Sequence, residues 1–525
     1  MPAVPRSFAD LVVNADNPNN ETLERCFVTD YSPPQIHAPC GHKYDSWTSV
    51  LTAWSTDIAL FAPPVPFALQ CNCAAIMLSS SRSSPVPKRV FVASSSGLVF
   101  PPEILGEIVF LACGPFDEYP ATYHQVRKDY LLVCTEWKDM ITGDPRFWTG
   151  LYVCRAIRPQ QVITAFTNAR GLPVHLIIDA PSRIASRNNF EQTFASLRDH
   201  LDDHIDKIGR LSVSATDQFG AQTLFEWMES CHAHRVRQLD LAIGTTNPPN
   251  PLLLNRAILA FSNLETLVHR YSHLLIPYVH ASTLRRLHLG PMPRTRCDDC
   301  WNEVRDFLMA CVGVTHLVLD DVMCANGPPQ GILVQSLCHM PSVTHMAFKC
   351  DSYGNSYLWA ALRVPSLRVL QFIAPSGCAD FVDGTTPHLC NPSLDGVEVL
   401  DLRMSVPSDL TMKNILANFP NLVHLDLRRV RHTIVVALVE MRPFVSAPLC
   451  RNLSSIHLGT DMSTFQLLRV LGNRQSGHFA EGCTVSYEFI SGIRPYAWTR
   501  TSFRFNSGVL EEVPYEEPVY VGLDF

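Results

Sequence analysis

Long apolar runs are missing from this chain of 525 residues. None reaches the roughly 18 residues of a membrane-spanning helix, and the stretch near Phe61 is broken by Pro63, Pro64 and Pro66. Charge is also scarce: charged residues make up 17% of the chain, the formal net charge is −7, and no basic run or basic amphipathic helix occurs. Neither nucleic acid nor a membrane surface is therefore an expected partner. The opening Met1-Pro2-Ala3-Val4-Pro5 lacks the charged-then-apolar pattern of a secretory leader. The expected location is thus intracellular, cytoplasmic or nuclear. A Gly-rich phosphate loop, a Gly-x-Ser-x-Gly elbow and a His-Glu-x-x-His helix are all absent, and no catalytic centre is expected.

What is present is apolar content of 46%, enough for globular cores and too much for a disordered chain. The length leaves room for two to four domains. The 18 cysteines are spread through apolar patterns and read as reduced core thiols, not as a disulfide framework. Cys297 and Cys300 read as loop thiols beside a helix N-terminus. His269, His273, His280 and His288 fit no single helix face and read as surface or turn residues.

One stretch, 99–153, organises the rest. It opens Phe100-Pro101-Pro102-Glu103-Ile104-Leu105, with prolines where a helix begins and a carboxylate in its first turn. Ile104, Leu105, Ile108, Leu111 and Ala112 then recur on one helix face. A polar, aromatic loop from Gly114 to Tyr123 follows. A second helix carries Val133, Cys134, Trp137 and Ile141, and the stretch closes Asp144-Pro145-Arg146-Phe147-Trp148. Two short helices cannot bury that much apolar surface alone. Each large side chain left wet forgoes about 1.5–3 kcal/mol, so a partner surface is expected.

These residues resemble an F-box, in the extended form common in mushroom-type fungi. Phe100 to Leu105 match its Leu-Pro-x-Glu-Ile-Leu opening, Val133-Cys134 and Trp137 its Val-Cys-x-x-Trp core, and Phe147-Trp148 its exit. Phe100 in place of leucine, Thr135 in place of a basic residue and the inserted loop depart from the pattern. The resemblance implies docking on the Skp-type linker of a cullin ubiquitin ligase. The implied interface is Pro101, Ile104, Leu105, Ile108, Val133, Cys134, Trp137 and Trp148, with the two tryptophans as the expected hot spots.

Residues 1–80 carry a fainter pattern. Cys40-Gly41-His42 is followed by Cys71-Asn72-Cys73, with a helix-compatible run from Trp47 to Phe61 between them and Leu60-Phe61-Ala62-Pro63-Pro64 before the last cysteines. This resembles a degenerate RING-type module. The resemblance places one zinc site on Cys26, Thr29, Asp45 and Thr48, which threonine spoils. It places the other on Cys40, His42, Cys71 and Cys73, a Cys₃His set for one structural zinc. Such an ion would supply roughly 10–16 kcal/mol of apparent binding energy, enough to hold a small module. A Ser-rich linker, 81–98, follows.

After a bridging segment, 154–206, that holds a helix from Pro159 and a strand from Val174, the chain repeats itself over 207–472. The template apolar-x-x-apolar-x-apolar recurs from Ile208/Leu211/Val213 to Leu453/Ile456/Leu458, and its ten starts lie 20 to 31 residues apart. That period resembles leucine-rich repeats. The expected fold class is α/β: a short helical F-box, then an irregular leucine-rich-repeat solenoid with parallel strands inside and helices outside, closed by a cap and acidic tail over 473–525. The resemblance implies a non-enzymatic substrate adaptor for ubiquitin transfer. A RING-like ligase acting through residues 1–80, or a repeat scaffold without any ubiquitin role, is the alternative.

Overall fold

The computed structural model describes residues 102–514 apart from 118, 155–156, 181–183, 232–233, 245–250, 272–282, 291–299, 321, 323–336, 350–357, 375–390, 405–408, 428–451, 460–483, 491–497 and 507–508. The chain divides into units Met1–Val99 and Phe100–Phe525, and every described residue lies in the second. The zinc set Cys40, His42, Cys71 and Cys73 lies outside the described residues, as do Pro101, His273, His280 and Cys297. No described helix is long and apolar enough to cross a membrane.

Three helices lead: α1 Pro102–Cys113, α2 Pro120–Leu131 and α3 Thr135–Gly143, then a 3-10 turn, Pro145–Trp148. The loop expected from Gly114 to Tyr123 gives way at Pro120 to a helix, and the helix expected to carry Val133 and Cys134 starts after both. In the structure Pro120 starts α2, Val133 sits in a turn, and Cys134 is the extended N-cap residue of α3. Polar composition hides α2, because its inward face is an i, i+4 pair of unlike residues, Tyr123 and Arg127.

Strands and helices then alternate. The strands are β1 Gly150–Val153, β2 Val174–Ala180, β3 Ile208–Ala215, β4 Gln238–Ile243, β5 Thr266–Tyr271, β6 Arg286–Leu289 and β7 His316–Asp320. A short pair, β8 Cys338–His339 and β10 Leu362–Arg363, stands apart. The main series resumes with β9 His345–Lys349, β11 Val369–Ala374, β12 Val399–Met404, β13 His424–Asp426, β14 Ser455–Gly459, β15 Thr484–Ile490, β16 Trp498–Asn506 and β17 Val509–Val513. The main sheet has 15 strands in chain order. Every pairing from β1 to β15 is parallel, and β15–β16 and β16–β17 are antiparallel. Between strands lie α4 Pro159–Asn168, α5 Ile184–Asp202, α6 Gln218–Ser230, α7 Pro251–Leu259, α8 Cys300–Ala310 and α9 Asp409–Ala417. The α/β expectation holds: this is a long parallel sheet with helices on its connections.

Strand alternation explains the core. All ten apolar triads are buried on one face, together with Leu224, Phe225, Trp227 and Met228 of α6 and Phe307 of α8. His269 takes the third triad position of its strand, so it is a core residue and not the surface histidine expected from sequence. Cys113, Cys231, Cys311 and Cys338 are buried free thiols, and burial pushes Cys311 and Cys338 up to about 12. Between β2 and β3 the register slips by one residue at Gly209, where a Cβ would lie 2.8 Å from Cβ of Pro173. Only glycine fits that bulge.

Hydrogen bonding continues ahead of the strands. Glu265 N–H donates to Arg237 O, Arg285 to Glu265, Thr315 to Arg285, and the series runs on through Thr344, Arg368, Glu398, Val423 and Ser454 to Thr484. This ladder gives the turns before the strands their backbone partners, and the side-chain amides of Asn263 and Asn421 add bonds to His234 O and Asp395 O.

The helical unit and the sheet do not hold separate cores. They share one. Val109, Tyr123, Ile141, Phe147 and Trp148 belong to the buried cluster that runs on to Leu458. The cause is β1, which follows the 3-10 turn at once and pairs with β2, Leu151 against Leu176.

Candidate interaction surfaces

Two surfaces stand out, one on α1 and one on the sheet. On α1 the apolar residues outnumber those that one face can bury. Val109 and Cys113 are buried, and Leu105 and Phe110 pack partly against the core. Ile104, Ile108 and Leu111 remain 50%, 45% and 69% exposed. Their i, i+4, i+7 spacing sets them in one stripe along the helix. The stripe and Leu132, also exposed, have no apolar cover among the described residues. Arg146 ties α1 to the 3-10 turn through Glu107 at 2.7 Å and Asp144 at 2.9 Å. The Arg146–Glu107 pair is well exposed, so it positions more than it stabilises, and Asp144 is half-buried.

Of the other expected interface residues, Val133 and Cys134 are half-buried, and Trp137 is half-buried with its ring edge-on to Tyr130 at 5.3 Å. Trp148 corrects the expectation. It is 6% exposed, its indole N–H donates to Ile141 O at 2.8 Å, and the Arg127 guanidinium lies 4.5 Å over its ring. Its job is to weld the helices to β1. Sequence spacing pairs Trp148 with Trp137 but cannot show that β1 and α4 cover it.

The second surface is the sheet face opposite the helices. It carries the alternate strand positions, and many of them are polar. On β2 and β3, His175 Nδ1 meets Asp117 Oδ1 at 2.7 Å and His175 Nε2 meets Ser212 Oγ at 2.8 Å, with Arg210 also on Asp117. Hydrogen bonding from His175 holds Asp117 below the ordinary carboxylate range, while burial pushes His175 down. Further along, Lys349 pairs with Asp320 at 3.0 Å, and His316 stacks on His345 at 4.4 Å. Gln371 and Arg403 both donate to Asp401 Oδ2, at 2.8 and 2.9 Å. Among these polar groups sits a small apolar patch of Val318, Ala347, Val369 and Val399.

Carboxylate, imidazole and hydroxyl in the order Asp117–His175–Ser212 is the sequence of contacts that activates a serine. Here β3 is paired on both sides, with Ile177 and Asp240 flanking Ser212. The strand amides are committed to the ladder and cannot cradle an oxyanion. The arrangement therefore pins Asp117 to the sheet. None of its members was singled out from sequence, since Asp117 lies 58 residues from His175 and 93 from Arg210.

Compared with protein-family models and with curated proteins, the chain matches none. The assignment of these surfaces rests on the residues themselves.

Proposed function

We propose that this chain is the substrate-recognition adaptor of a cullin-type ubiquitin ligase. In this reading the three-helix unit is an F-box that docks on a Skp-type linker, and the sheet with its helices is a leucine-rich-repeat solenoid that holds a protein substrate. The observation that carries it is the uncovered Ile104–Ile108–Leu111 stripe, on the helix whose opening residues resemble the F-box signature. Apolar surface of that kind marks a protein contact on a soluble domain. The sheet face opposite the helices, polar with an apolar centre, has the mixed chemistry of a recognition surface.

The test exploits exposure. Ile104→Asp with Ile108→Asp changes two outward residues, so the melting transition should move little. Apolar hot spots contribute at least about 2 kcal/mol each, and together about 4 kcal/mol, or near a thousandfold in linker affinity. A pull-down with the Skp-type linker should lose the double variant and keep wild type. Equal capture of both would overturn the reading.

A further inference from the structure

A cleft of about 350 Å³ opens between α2, β1 and α4. Leu131, Trp148, Leu151 and Ile157 give it apolar walls, and Lys128 stands exposed on its lining. At its back is Arg127, only 6% exposed. A buried guanidinium normally sits against a carboxylate, because an uncompensated charge away from water is costly. Among the described residues Arg127 has no such partner. One nitrogen, Nη1, donates to Phe147 O at 2.6 Å, and the plane rests on Trp148. The other, Nη2, faces His124 Nδ1 at 2.8 Å.

That last contact does not satisfy it. The backbone N–H of Tyr152 donates to His124 Nε2 at 2.8 Å, which fixes Nε2 as the ring's acceptor. A neutral imidazole has one lone pair in its plane and one N–H. With the lone pair engaged by Tyr152, the ring proton is on Nδ1 and points at Arg127, donor against donor. Protonating the ring worsens this, and burial with Arg127 and Lys128 nearby pushes His124 down to about 3. The cleft thus combines apolar walls, a buried cation short of an acceptor and a second cation, with no carboxylate among its described lining residues.

We propose that the cleft binds a small amphipathic carboxylate, an alkyl or aryl acid, with its head on Arg127 Nη2 and Lys128 and its apolar body along Leu131, Leu151 and Ile157. A carboxylate fits better than a phosphate, because the walls are mainly apolar and the donors few. The site is separate from the α1 stripe, so it stands or falls independently of the linker reading.

Titration calorimetry on the full chain tests this with octanoate, octanol and inorganic phosphate. Octanoate should bind at least about tenfold tighter than octanol, the worth of one charge-assisted hydrogen bond, and phosphate should show no comparable binding. Arg127→Met keeps much of the volume and removes the cation, and an unchanged octanol affinity shows that the cleft still folds. The substitution should abolish the preference for octanoate. Lys128→Gln, an exposed change that preserves the fold, should weaken octanoate several-fold and leave octanol unaltered. Equal binding of octanoate and octanol, absence of binding, or unchanged octanoate affinity in either variant would overturn the proposal. Tighter binding of a leucine-ended peptide than of octanoate, lost when its C-terminus is amidated, would overturn it in favour of a peptide site.

Discussion

Trp148→Ala is expected to lower stability by about 3–5 kcal/mol, the range for truncating a fully packed aromatic. The indole fills the joint between α3, the 3-10 turn and β1, where Phe147 is also buried, with Phe110 edge-on to it at 5.4 Å. Removing it leaves a cavity, strips the carbonyl of Ile141 of its indole donor, and takes away the ring beneath Arg127. The pattern of the loss matters as much as its size. One buried cluster runs from Val109 to Leu458, so denaturant unfolding should remain a single transition in which probes on α1 and on β12 move together. Separate transitions, with the sheet's midpoint unchanged, would show that the helices fold on their own. Trp148→Phe should recover most of the packing and still lack the indole N–H bond, worth about 1 kcal/mol.

Two residues three positions apart on one strand, β12, should respond in different ways to truncation. Leu400 is fully buried on the helix-covered face, and Leu400→Ala should cost about 2–5 kcal/mol at any pH in the native range. Arg403 projects from the opposite face, where the pattern alone would make it a free surface residue worth less than about 0.5 kcal/mol. The structure revises that figure. Arg403 holds the carboxylate of Asp401, which is buried, and burial with Asp426 behind it keeps Asp401 above the ordinary carboxylate range. Gln371 and Arg403 pull it back down. Arg403→Ala therefore leaves a buried carboxylate with one weaker donor, at about 1–3 kcal/mol near neutral pH. The sign follows from the shift. A carboxyl whose folded pKa is raised is penalised where it is ionised, and the penalty disappears as pH falls through that pKa. The loss in Arg403→Ala should thus shrink on acidification, whereas that in Leu400→Ala should not. Parallel pH profiles for the two variants would refute the pairing.

These cases show which parts of the fold were legible in the residues. The ten triads were, because a period-two strand inside a repeat of 20 to 31 residues leaves a strong apolar signal. So were α1 and α4, announced by proline at their starts. β1 was not. Gly150-Leu151-Tyr152-Val153 is too short for alternation to register, and it directly follows the aromatics that the F-box resemblance had already claimed. With β1 unseen, Trp148 was assigned to the linker interface. Arg127 and His124 were invisible for a related reason. Their burial depends on β1 and on α4, whose first residue lies more than thirty positions further along. Contacts made by tertiary closure leave no local mark in sequence.

The strict chain order of the sheet bears on how the protein is made. A strand that always pairs with its predecessor never waits for a partner still to be synthesised. From Ile208 to Leu453 each new strand reaches a finished edge only 20 to 31 residues after the last one was laid down. Short loop closures of that kind keep folding fast for so large a parallel sheet. They also allow growth to follow the ribosome from β1 onward. The antiparallel turn-back of β16 and β17 reverses that direction, and it arrives when the growing edge needs an end.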